Sequence, residues 1–106
     1  MMTYKYYPST GVVENISKDK TYILGEYESK LLAVMLSQPG HYFSKEQLIK
    51  KAWAKRCVSS GSLTKAIHTL RYVFQDKQPW KIIMTVPGYG FYIDMESASH
   101  VHIANE

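Results

Sequence analysis

Residues 58–75 read VSSGSLTKAIHTLRYVFQ and residues 81–93 read KIIMTVPGYGFYI, and the fold is decided by how these two stretches pair. At about 100° per residue, Leu63, Ile67, Leu70 and Phe74 fall on one narrow stripe, with Ala66 and Val73 on its flank. The opposite face carries Gly61, Lys65, His68, Thr69 and Tyr72, a donor-rich surface without a carboxylate. The spacing predicts a helix over about 60–75 that buries one side and offers uncharged and basic donors on the other. Such a helix suits the major groove of DNA, where base edges present a readable pattern of acceptors, donors and methyl groups. In the second stretch, residues 81–86 alternate imperfectly as a strand, Pro87-Gly88 is a favourable turn pair, and residues 90–93 return as a hairpin.

Before the polar-faced helix, Ser44-Lys45-Glu46-Gln47 places Gln47 where a capping-box partner belongs, so a second helix opens there. Its apolar side is Leu48, Ile49, Ala52 and Trp53, and Lys45, Lys50, Lys51 and Lys55 lie outside it. Trp53 reads first as core, but its indole N–H needs a partner and could donate to a phosphate. Residues 54–60 form a connecting loop, from which Ser59 or Ser60 can cap the polar-faced helix. A first helix spans about residues 26–37, with Leu31, Leu32, Met35 and Leu36 as its core side and Gln38-Pro39-Gly40 as its stop. Upstream, residues 4–7, 11–16 and 20–24 read as three short strands of an antiparallel meander, which needs a helix to cover it. After Asp94 the chain loses apolar periodicity, so residues 1–95 are expected to form one domain and residues 96–106 a flexible tail or linker.

The formal charge of +4 is modest, but its distribution is uneven. In residues 1–40, Lys5, Lys18, Lys20 and Lys30 are cancelled by Glu14, Asp19, Glu26 and Glu28. In residues 41–75, Lys45, Lys50, Lys51, Lys55, Arg56, Lys65 and Arg71 face Glu46 alone, a local balance of +6. Positive charge therefore gathers on the two helices nearest the proposed reading face, where it would attract a phosphate backbone; the plainer reading is a solvated basic surface. Cys57 is the single cysteine, so no internal disulfide forms. No run approaches the roughly 20 apolar residues that span a bilayer, and the N-terminus lacks the pattern of a signal peptide. The residues hold no phosphate loop, clustered carboxylates or Ser/His/Asp set in a recognisable context, which argues against an enzyme. His100 and His102 could chelate a metal but have no further ligands nearby, so neither a metal nor a cofactor is expected.

Helix, loop, polar-faced helix and Gly-rich hairpin resemble a winged helix-turn-helix, an α+β fold. With a β-meander ahead of three helices and a hairpin wing behind them, the specific resemblance is to the OmpR/PhoB-type DNA-binding domain. It is carried by Leu31-Leu32, residues 44–48, Trp53, Val58 with residues 63–67, Leu70-Arg71, and the wing Thr85-Val86-Pro87-Gly88-Tyr89-Gly90-Phe91. Val58-Ser59-Ser60 followed by residues 62–67 is similar to the ToxR/CadC-like branch, and with the domain beginning almost at Met1 no receiver domain is expected ahead of it. The resemblance implies a bacterial transcription factor in the cytoplasm, either free-standing or the cytoplasmic part of a single-pass inner-membrane regulator.

On that resemblance, Lys65, His68, Thr69 and Tyr72 face the bases of promoter DNA, and Tyr89 at the wing tip approaches the minor groove. Trp53, Ser60, Ser62, Thr64, Thr85, Lys51, Lys55 and Arg71 are the candidate backbone contacts, with a structural ion pair as the other reading of Arg71. Two copies would bind tandem half-sites head to tail, and the loop at residues 54–59 could touch RNA polymerase. Many relatives carry several arginines on the exposed face of this helix, whereas here it offers Lys65, His68 and Thr69. Bidentate arginine–guanine pairs are the commonest specific contact, so strong guanine reading is not expected, and shape readout of A·T-rich sites through the wing gains weight. The competing reading is a winged-helix interaction module whose basic face docks a protein partner.

Overall fold

The computed structural model describes residues 2–54 and 56–104. Three short strands, β1 (Tyr4–Tyr7), β2 (Val12–Asn15) and β3 (Lys20–Ile23), lead into α1 (Glu26–Ser37). After β4 (Phe43–Ser44) come α2 (Lys45–Trp53) and α3 (Ser60–Val73). The hairpin β5 (Ile83–Val86) and β6 (Gly90–Ile93) follows, and α4 (Met95–Ala98) and β7 (Val101–Ile103) close the chain. The strands form two sheets, ordered β3-β2-β1-β7 and β4-β6-β5.

Period-two alternation explains how the first sheet is attached. Tyr4 and Tyr6 point inward and are buried, whereas Lys5 and Tyr7 are half-buried on the other side. The Tyr6 hydroxyl donates to the Ser29 carbonyl at 2.8 Å and shares a 2.7 Å hydrogen bond with the Ser29 hydroxyl, fixing the sheet to α1. The Tyr4 hydroxyl donates to the Phe74 carbonyl at 2.8 Å, and its ring meets Phe74 edge to face, fixing the sheet to the end of α3. Burial raises both phenol pKa values.

The helical stripes meet beneath this sheet. Leu31, Leu32 and Met35 of α1, Leu48 and Ala52 of α2, and Leu63, Ile67 and Leu70 of α3 are all buried, joined by Phe43, Ile83 and Ile93 of the second sheet. The expected capping box of α2 is present: Ser44 Oγ accepts from the Gln47 N–H and Gln47 Oε1 from the Ser44 N–H.

Three expectations are corrected. Residues beyond Glu96 are not a frayed tail up to Ile103. Asp94 caps α4 by accepting the Ser97 N–H at 3.0 Å, and β7 then pairs in parallel with β1, Tyr4 opposite Val101. A three-residue strand is too short to show a period, and its partner lies at the other end of the chain. The short β4, opposite Phe91 and Gly90 on β6, also escaped the sequence reading. Finally, α3 ends at Val73 instead of about Gln75, which takes a φ of 55°, and Ser59 occupies its N-cap position without a side-chain capping bond.

Candidate nucleic-acid interface

The 14-residue α3 divides along its length as its spacing requires. Gly61, Lys65, His68 and Tyr72 are exposed and Thr69 is half-buried, whereas Leu63, Ala66, Ile67, Leu70 and Val73 are buried. Tyr72 stands out at 72% exposure, more than an aromatic ring packed for stability would show. No acidic side chain lies on this helix. The Thr69 hydroxyl donates back to the Lys65 carbonyl at 3.2 Å. Thr64 does the same to the Ser60 carbonyl at 3.1 Å, so its hydroxyl hydrogen is already engaged.

Beside α3, the hairpin is shaped by one tight turn and fastened at three points. Gly88 takes a φ of 71°, the left-handed conformation the tip turn requires. Gly90 lies against the Phe43 carbonyl, where any β-carbon would collide, so glycine is what lets β4 pair with β6. The Tyr89 carbonyl accepts the Lys45 N–H at 3.0 Å, tying the wing tip to the first turn of α2 while the Tyr89 side chain stays 45% exposed.

The third fastening is Arg71, and it corrects the expectation of a phosphate contact. Arg71 is 6% exposed; its Nε and Nη2 donate to the Ile83 carbonyl at 3.1 and 2.7 Å, and Nη2 donates to Thr85 Oγ1 at 2.9 Å. The guanidinium lies 3.9 Å from the centroid of the Trp80 ring and 5.8 Å from that of Phe91. Burial lowers its pKa from the usual arginine value. The expected alternative, an ion pair, is not formed either: Lys30–Glu26 is the salt bridge found among the described residues. Arg71 is a bolt between α3 and the wing. It also orders Thr85, whose exposed hydroxyl accepts from Arg71 and so has its hydrogen free to donate outward.

Trp53 is 6% exposed and stacks on Tyr27 with ring planes 9° apart, which makes it chiefly a packing residue. The Arg56 Nη1 donates to the Tyr27 hydroxyl at 3.1 Å, pinning the loop before α3 onto α1. Ser60 and Lys51 are exposed and Ser62 is half-buried, while Lys55 lies outside the described residues. Sequence reading missed Trp80 and Asp76. The buried Asp76 carboxylate accepts the N–H groups of Lys81, Ile82 and Ile83 at 2.9, 3.2 and 2.9 Å, satisfying the entry to β5 where no strand partner does. An acidic side chain between a helix end and a strand start was the available signal.

A helix-turn-helix whose second helix presents a carboxylate-free polar face, with a hairpin bolted beside it, is the winged helix-turn-helix of OmpR/PhoB-type regulators. Residues 19–93 match the family "Transcriptional regulatory protein, C terminal", and the chain belongs to that family of DNA-binding transcriptional regulators. Among solved structures, the DNA-binding domain of Escherichia coli CadC, a ToxR-like regulator, is similar with a TM-score of 0.71 and 24% identity, over 81% of this chain and 80% of that one. The AdeR DNA-binding domain, solved in complex with an intercistronic region, gives a TM-score of 0.69 at 17% identity, covering 87% and 94% of the two chains. The C-terminal domain of the nisin resistance regulator NsrR gives 0.63 at 29% identity, covering 79% and 84%. No curated protein matches the sequence. Among the described residues, no helix is long and apolar enough to cross a membrane.

Proposed function

We propose that this domain binds double-stranded promoter DNA sequence-specifically, with α3 in the major groove and the β5–β6 wing on the minor groove or adjacent backbone. The observation that carries the reading is the exposed face of α3, where Lys65, His68, Thr69 and Tyr72 stand without an acidic neighbour on the helix. Lys65 can donate to guanine O6 or N7, the Thr69 methyl can meet a thymine methyl, and His68 offers one donor and one acceptor when neutral. Ser60, Ser62 and the outward hydroxyl of Thr85 donate to phosphates, Lys51 and Lys55 add positive field, and Tyr89 reaches the sugar edges. With one lysine and no arginine on this face, base readout is modest, and groove shape contributes much of the specificity. Two copies on tandem half-sites, and contact of the loop at residues 54–59 with RNA polymerase, complete the proposal.

The test compares Lys65→Ala and Lys51→Ala on a site selected from random duplexes and on its scrambled counterpart. Lys65→Ala is expected to reduce the preference for the selected site by about tenfold, whereas Lys51→Ala weakens both duplexes alike. Equal weakening by both variants would remove the base-reading role of α3, and absence of wild-type DNA binding at low salt would remove the whole proposal.

A further inference from the structure

The turn between β2 and β3 comes to rest against the C-terminal end of α3. The Lys18 Nζ donates to Gln75 Oε1 at 3.2 Å, and the Tyr22 and Tyr72 rings meet edge to face with centroids 6.0 Å apart. Between them runs a groove whose lining includes Lys18, Lys20, Lys77, His68, Tyr72 and Trp80. Three exposed lysines thus converge from two parts of the chain that are neutral or acidic when summed along the sequence. The acidic groups nearby do not cancel them. Asp76 is buried, taken up by three N–H donors and set near the Arg71 charge, which leaves Asp19 in the turn against the three lysines.

Geometry says what would meet this groove. At 1.5 Å per residue α3 is about 21 Å long, whereas the major groove is about 12 Å wide, so a helix set across it carries its end out to a phosphate rail. His68 and Tyr72 belong both to the exposed face of α3 and to the groove, so the lysines sit next to the reading face. We propose that Lys18, Lys20 and Lys77 form a further site that binds the phosphodiester backbone flanking the bases read by α3, with the aromatic rings of Tyr72 and Trp80 as its floor. This rests on α3 being the groove-facing helix. It makes the β-meander part of the DNA-binding surface as well as a structural cover.

The test is the salt dependence of binding to a random-sequence duplex of about 25 base pairs, for wild type, the triple variant Lys18→Gln/Lys20→Gln/Lys77→Gln, and the control Lys5→Gln. Lys5 lies on the outer side of the meander, away from the groove. All of the triple variant's changes are at exposed positions, and an unchanged melting midpoint verifies its fold. The slope of log affinity against log salt should fall by roughly 2 to 3 in the triple variant and stay unchanged in the control. A wild-type slope retained by the triple variant, or a loss per lysine no larger than that of Lys5→Gln, overturns the site while leaving DNA binding by α3 standing. A wild type without salt-dependent affinity overturns both.

Discussion

Arg71 does the least expected work of any residue here. Sequence position places it on the edge of the buried stripe, where a phosphate contact and a structural role look alike. The three-dimensional surroundings decide: its donors go to the Ile83 carbonyl and Thr85 hydroxyl, and its face to Trp80. Arg71→Ala would leave a buried carbonyl unpartnered and a void beside Trp80, at a cost of about 3 kcal/mol, seen as a fall of roughly 15 °C in melting midpoint. Arg71→Lys should recover part of that midpoint, because one ammonium cannot replace both the fork and the planar stack. If Arg71→Ala melts like wild type but loses DNA affinity, the guanidinium is a phosphate ligand after all. Asp76 is the matching case at the other end of the same connection. Asp76→Ala strands three N–H groups and should cost about 3 kcal/mol by chemical denaturation, without altering sequence preference in the fraction that remains folded.

Among the elements, α1, α2 with its capping box, and the two faces of α3 were legible because each has a local cause: an apolar period, a cap, a Pro-Gly stop. The strand β4 was not, since its pairing depends on Gly90 admitting the Phe43 carbonyl from a distant part of the chain. The same holds for β7, whose Val101-His102-Ile103 carries no signal until β1 stands beside it. The polar face of α3 could be read from spacing alone, whereas the lysine groove beside it could not, because Lys18 and Lys77 meet only through the packing of the meander. That packing has its own test. The folded protein keeps Tyr4 and Tyr6 protonated above the ordinary tyrosine value, whereas the unfolded chain releases those protons near it. Stability from these two phenols is fully present below about pH 10 and falls as pH rises through their folded values. Denaturation midpoints should therefore drop steeply above about pH 10, and Tyr6→Phe should flatten that drop while costing about 1 kcal/mol at neutral pH for its lost hydrogen bond. An unchanged alkaline slope in Tyr6→Phe would mean its hydroxyl is not buried as described.

For the whole molecule, the bonds from Lys45 to Tyr89 and from Arg71 to Ile83 and Thr85 tie α2, α3 and the wing into one unit. If the exposed face of α3 meets base edges, a gain of function will show it more plainly than a loss. His68→Arg puts a bidentate guanine donor on an exposed position of that face without disturbing the core. Sites selected from random duplexes by wild type and by His68→Arg should differ at one position, where guanine becomes preferred by about 1–3 kcal/mol over other bases. An unchanged selected site, with affinity raised equally for every sequence, would place residue 68 on the phosphates and remove base reading by this face of α3.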